Sequence, residues 1–174
     1  MPMKITVRKA LPKDAPAILD ITKEAFSKYA FDLGMPEKVK ALKESEAVVL
    51  DDMQRKTVLV AELDGVPVGT IRYEQLTPSM AYISRFGVRL AAQSCGVGGA
   101  LVNAVLTNCR EAGMNAVALH TSAKMYSLIR FYYGKGFFIS STSTERGYVR
   151  ALLVKELISA DAVVDYAQAL SAGL

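Results

Sequence analysis

The chain has 174 residues, 51% of them apolar, with a formal net charge of +4, a length and balance that suit a single domain with a sizeable core. No apolar run is long enough to cross a bilayer, and Met1-Pro2-Met3-Lys4 does not lead into a signal-like segment, so the expectation is a cytoplasmic protein without membrane contact. The two cysteines, Cys95 and Cys109, have no companion Cys or His at ligand spacing, which argues against a metal site or a disulfide framework, and the scattered basic residues argue against nucleic-acid binding.

Ile5 to Arg8 alternates apolar and polar, as a short opening strand does. Pro12 to Asp14 break it, and Asp14 is a candidate N-cap for a first helix on which Ile18, Ile21, Ala25, Phe26 and Tyr29 recur at helical spacing. Phe31 to Pro36 reads as a loop before a second, charged helix from Glu37 to Leu50, its lysines interleaved with Glu37, Glu44 and Glu46 as on a solvated face. Thr57 to Leu63 and Val66 to Gln75 are β-branched runs around Asp64-Gly65, a strong hairpin signal. Thr77-Pro78-Ser79 turns the chain into an apolar and aromatic strand from Met80 to Val88.

That strand runs into Gln93-Ser94-Cys95-Gly96-Val97-Gly98-Gly99, after which Ala100, Leu101, Val102, Val105 and Leu106 follow helical spacing. The first turn of a helix presents backbone N–H groups without intrahelical partners at the positive end of the helix dipole, and glycines let a bulky anion approach them. A hydrogen bond to a charged group is worth about 1.5 to 3 kcal/mol, so a few such amides supply much of the roughly 8 kcal/mol of a micromolar affinity. A nucleotide P-loop needs Gly-Lys-Ser/Thr, but Gly98 is followed by Gly99 and Ala100; the dinucleotide fingerprint needs glycine at Leu101 and a later acid that Val117 to His120 do not supply.

Farther on, Gly113 stops the glycine helix, Ala116 to Thr121 reads as a buried strand, and Tyr126 to Tyr133 as a further helix ended by Gly134 and Gly136. Phe137 to Ser143 and Tyr148 to Leu157 complete the sheet across Glu145-Arg146-Gly147. In the tail, Val163, Tyr166, Ala167, Leu170 and Leu174 share one face of a candidate helix, which either packs back on the domain or pairs across a homodimer.

Two motifs carry a resemblance. Gln93, Gly96 and Gly98 fit Gln/Arg-x-x-Gly-x-Gly/Ala after a strand, and Phe131-Tyr132-Tyr133-Gly134-Lys135-Gly136-Phe137 is similar to an aromatic-Tyr-x-x-x-Gly-Phe signature. The sequence thereby resembles the GNAT superfamily of acyl-CoA-dependent N-acyltransferases, from about Ile5 to Leu157. The resemblance implies an α/β fold, a mixed, mostly antiparallel sheet of six or seven strands with about four helices. Residues 1–157 then form the acetyltransferase domain and 158–174 a helical extension of it.

It further implies acetyl-CoA as co-substrate and direct attack by a primary amine, of a small molecule or peptide, in a ternary complex. Phe86, Gly87 and Val88 on the strand, with Gln93, Ser94, Cys95, Gly96, Val97, Gly98 and Gly99 in the loop, become the expected cofactor contacts. The Phe86 N–H would face the thioester carbonyl and Tyr132 would protonate the departing sulfur; a thiolate with pKa near 8.5 suits a tyrosine near 10. Phe26, Tyr29, Tyr82 and Ser84 are candidate acceptor-side residues, with Phe31 and Met35 beside them. A lysine-like amine, with pKa near 10.4, is neutral in only about one molecule in two thousand at pH 7, a cost of about 4.6 kcal/mol, so a base or water relay is expected. Family members often carry Glu on the fourth strand, where this chain has Tyr82 and Ser84; Glu74, His120 or a water held by Tyr82 and Ser84 are the replacements, the water preferred. Met125 stands where many relatives have a cofactor-contacting Asn, with Ser127 as a substitute. The missing Glu also leaves open a non-catalytic acyl-CoA sensor.

Overall fold

The computed structural model describes residues 2–159 and 162–171. Seven strands form one sheet in the order β1-β2-β3-β4-β5-β7-β6, comprising β1 (Ile5–Lys9), β2 (Thr57–Leu63), β3 (Val66–Thr77), β4 (Met80–Val88), β5 (Ala116–Ser122), β6 (Phe138–Ser143) and β7 (Arg150–Glu156). Five helices accompany them: α1 (Ala15–Leu33), α2 (Glu46–Arg55), α3 (Val97–Glu111), α4 (Tyr126–Gly134) and α5 (Tyr166–Ser171). The expected mixed sheet is thus present, parallel between β4 and β5 and antiparallel at β1–β2, β2–β3, β5–β7 and β6–β7. Asp64 and Gly65, with φ of 50° and 83°, make the tight hairpin that the sequence signals.

The chain divides into two compact units, residues 1–73 with 84–105, and residues 74–83 with 106–174. In the first, Ala10, Ala15, Ile18, Val49, Val58 and Val60 form one apolar cluster, and Ala30, Val39 and Ala41 another, against which Phe26, Tyr29, Leu33 and Leu42 pack. In the second, Met80, Ala116, Ala118, Leu152 and Val154 gather on one sheet face under Tyr166 and Leu170 of α5.

Three local expectations are corrected. The charged segment from Glu37 is not a helix to Leu50: it forms 3-10 turns at Pro36–Lys38 and Lys40–Lys43, and α2 begins only at Glu46. The physical reason is at Ser45, an extended residue whose hydroxyl accepts from the Val48 N–H at 3.4 Å and so starts a new helix there. Asp14 does occupy the N-cap position of α1, but its side chain makes no capping hydrogen bond: its carboxylate accepts from the Leu11 N–H at 2.7 Å and from the Arg8 guanidinium, which holds it below the usual carboxylate range. In the tail, α5 begins only at Tyr166: Tyr166 and Leu170 are buried on it, whereas Val163 precedes it and is exposed. Leu174 lies outside the described residues. The tail packs back on its own unit, and the Tyr166 hydroxyl donates to Glu156 Oε2 at 2.8 Å.

Candidate active site

The glycine loop is built in the first unit. After β4 a 3-10 turn, Leu90–Ala92, brings the chain to Gln93, whose side-chain amide donates back to the Val88 carbonyl at 3.4 Å. Arg89 pairs with Asp20 at 2.9 Å, and the Leu90 N–H donates to Glu24 Oε2 at 2.7 Å, tying this corner to α1. Ser94 and Gly96 then take left-handed backbone, φ 64° and 89°, and α3 starts at Val97. Alternation of backbone hand turns successive N–H groups toward one side, the geometry of an anion-binding nest. Among the described residues, no protein acceptor is recorded for the backbone N–H of any residue from Ser94 to Gly99, whereas the next one, Ala100, donates to the Gly96 carbonyl at 3.0 Å. Gln93, Ser94 and Gly96 are exposed and Cys95 half-buried.

Close packing sets where this helix begins. A Cβ on Gly69 of β3 would lie 2.9 Å from both Leu101 Cδ1 and Val97 Cγ1, and one on Gly87 would lie 2.8 Å from Ala25 Cβ. Gly87 is therefore required for the approach of α1 to β4. Just before it, Arg85 has φ 50°, a kink in β4 that precedes Phe86. Phe26 and Tyr29, with ring centroids 6.0 Å apart, lie half-buried against the Ala30, Val39 and Ala41 cluster, while Phe31 is exposed. The Ser84 hydroxyl is buried without a hydrogen-bond partner among the described residues.

The second unit holds the titratable groups. The β4–β5 ladder comprises Met80↔Ala116, Ala81↔Val117 and Tyr82↔Ala118. Two residues beyond Ala118, His120 meets Tyr82: the Tyr82 hydroxyl is 2.6 Å from His120 Nδ1, with the rings tilted at 54°. Burial, then the charges of Arg150 and Arg146, push His120 down to about 4, so the imidazole is neutral near pH 7. Burial raises Tyr82 above its ordinary value, opposed by the same two arginines; Arg150 approaches its hydroxyl as a hydrogen-bond donor, and Glu74 acts weakly in the upward direction. Tyr82 and His120 thus share one hydrogen bond, whose direction is set by the tautomer of the imidazole.

Tyr132 on α4 is buried between Phe131 and Phe137, with ring centroids 5.2 and 5.5 Å away. Tyr133 is exposed, and its hydroxyl accepts from the Ile139 N–H at 3.1 Å, so it fastens the start of β6. Met125 stands at the head of α4, its N–H bonded to the Ser122 carbonyl at 3.2 Å; Ser127 is exposed. The loop and Tyr132 carry sequence signals, and Tyr82 and His120 were both nameable in sequence. Their pairing with each other, and the role of Arg150, were not, because strand register alone brings them together.

A strand, a left-handed glycine turn and a helix thus stand in sequence on a mixed seven-stranded sheet. Residues 16–137 match the model of the acetyltransferase (GNAT) family, and the chain belongs to that family. No curated protein matches it in sequence. Among solved structures it is similar to Ard1 from Thermoplasma volcanium, with TM-score 0.73 and 25% identity over 89% of this chain and 99% of that one. It is also similar to PaiA N-acetyltransferase from Thermoplasma acidophilum in complex with coenzyme A, with TM-score 0.79 and 17% identity over 88% and 99%. A third is YncA, a putative acetyltransferase from Salmonella typhimurium with acetyl-CoA, with TM-score 0.71 and 18% identity over 92% and 98%.

Proposed function

We propose that this chain transfers an acetyl group from acetyl-CoA to the primary amine of a small molecule or peptide by direct attack. The observation that carries the reading is the glycine turn at the start of α3, where Ser94 and Gly96 take left-handed backbone and the first-turn N–H groups face outward from the helix end. These amides hold the pyrophosphate, and Gln93 braces the loop through the Val88 carbonyl. The backbone of Phe86, Gly87 and Val88 carries the pantetheine arm, and the Phe86 N–H faces the developing oxyanion. The co-substrate supplies an activated thioester; the amine nitrogen bonds to its carbonyl carbon as the carbon–sulfur bond breaks.

Two protons need places to go. Tyr132 gives its proton to the leaving sulfur. The Tyr82 oxygen accepts the proton of the attacking amine while the Tyr82 O–H passes its own to His120 Nδ1, on an imidazole that is neutral near pH 7 and whose charging is opposed by burial and by Arg150 and Arg146. A paired Tyr82 and His120 replace the absent strand-four carboxylate. Phe26, Tyr29 and Ser84 remain proposed acceptor-side residues. Residues 1–157 are the proposed catalytic domain, and 158–174 its extension.

The test is titration calorimetry with coenzyme A, followed by free-thiol release from acetyl-CoA across an amine panel. Micromolar binding with amine-dependent release is the expected result. Absence of coenzyme binding overturns the reading, and binding without release across the panel replaces it by the sensor.

A further inference from the structure

Most arginines with neighbours in this fold have carboxylates: Arg8 with Asp14, Arg55 with Asp51, Arg72 with Glu44, Arg85 with Glu44 and Arg89 with Asp20. Arg150 and Arg146 do not; among the described residues neither makes an ion pair with a carboxylate, although both act on Tyr82 and His120. Register explains why Arg150 is there. On β7 it lies opposite Ser122 of β5 and Ser143 of β6, and His120 lies opposite Leu152, so Arg150 and His120 share a face one diagonal step apart. Tyr82, beside Ala118, joins the same face. The partners of Arg150 across both ladders are serines, small enough to leave a guanidinium uncrowded. Arg146 is exposed in the loop between β6 and β7.

Half-burying a cation beside a histidine that is to receive a proton is unfavourable in the free protein, since each charge opposes the other. An anion on the arginines removes that conflict. We propose that Arg150 and Arg146 form an oxyanion-binding subsite beside the Tyr82–His120 pair, so that the acceptor is an amine bearing a carboxylate or phosphate group. The proposal rests on reading that pair as the proton acceptor for the amine. A planar guanidinium matches either oxyanion through paired N–H donors, so the chemistry is shared and the assay separates the two. The anion also makes the imidazolium easier to form, coupling acceptor binding to proton removal.

The experiment has two arms. In the first, acetylation of γ-aminobutyrate is compared with that of its amide, and of phosphoethanolamine with ethanolamine. The wild-type protein is expected to favour the charged member of at least one pair by about 10- to 100-fold in kcat/KM, the range of one charge-assisted hydrogen bond. Which pair shows the larger ratio identifies carboxylate or phosphate. In Arg150→Gln that ratio collapses toward one, and in Arg146→Gln it falls by less. Equal use of charged and neutral amines overturns the subsite while leaving the acetyltransferase reading intact.

The second arm needs no turnover. His120 is the only histidine in the chain, so its imidazole proton resonances are unambiguous in NMR. Adding γ-aminobutyrate or phosphoethanolamine to the wild-type protein is expected to shift them and raise the titration midpoint, and Arg150→Gln to abolish the ligand effect. No shift with either ligand overturns the subsite even if no amine is acetylated. A shift without acetylation upholds the subsite and defeats the catalytic reading.

Discussion

The substitution Glu44→Gln tests whether a buried charge cluster is held by its partners. Arg72 is fully buried in the first unit, with 0% side-chain exposure against 2% for Glu44 and 6% for Asp52. Its guanidinium donates to Glu44 Oε1 and Oε2 at 2.6 and 2.8 Å and to Asp52 Oδ2 at 2.8 Å, while its Nε is buried without a partner among the described residues. Burial works against this charge, and the hydrogen bonds and charges of Glu44 and Asp52 more than offset it. A buried pair adds little to stability against an apolar replacement, but removing one partner leaves the other uncompensated and costs about 3 to 5 kcal/mol. Glu44→Gln keeps the shape and removes the charge, so the midpoint of thermal unfolding is expected to fall by about 6 to 20 °C, at about 2 to 4 °C per kcal/mol for a chain of this size. The double variant Glu44→Gln/Arg72→Met is expected to be less destabilised than the sum of its singles, since it removes the stranded cation. Urea and thermal denaturation of all four proteins provide the cycle. A loss below about 1 kcal/mol in Glu44→Gln, or simple additivity, refutes the reasoning, because the cluster would then be behaving like an exposed ion pair. The same change removes the acceptor of the Arg85 Nε–H, 3.3 Å away, at the residue whose left-handed φ bends β4 before Phe86.

Four other outcomes are expected. Tyr132→Phe lowers turnover while coenzyme affinity stays near wild type; undiminished turnover removes Tyr132 from the reaction. Gly96→Ala meets only an ordinary contact, 3.5 Å from Ile5 Cδ1, so its cost is the left-handed backbone, about 1 to 2 kcal/mol; calorimetry should show coenzyme affinity weaker by about 5- to 30-fold, and unchanged affinity dismisses the turn as the pyrophosphate cradle. His120 is held at about 4 in the folded protein against 6.5 ordinarily, so the unfolded chain binds the extra proton between those values and stability falls as pH drops from 6.5 to 4, by up to roughly 3 kcal/mol. Urea midpoints measured across that window should lose this dependence in His120→Asn, and an imidazole titrating near 6.5 by NMR contradicts it. A thiol reagent on the native protein should modify Cys95 and spare Cys109, which is buried and pushed up to about 11; equal labelling of both argues against that burial.

Sequence alone reached farthest where structure is made by neighbours in the chain. The Asp64-Gly65 hairpin, the strand from Met80 to Val88 and the glycine turn before α3 depend on left-handed backbone, alternation and helix ends, all written locally. The segment from Glu37 to Leu50 misled because its charge pattern suits a helix face, whereas Ser45 restarts the helix and Glu44 is drawn inward to Arg72, a residue far along the chain. Asp14 stands at the N-cap position, as its place before the helix suggests, but its side chain does not cap for the same kind of reason: Arg8 and the Leu11 amide take its carboxylate. What tertiary structure decided was pairing at a distance. Nothing near Tyr82 names His120 or Arg150; they share a face because the β4–β5 and β5–β7 ladders settle into one particular register, and shifting either by one residue would send the side chains to opposite faces.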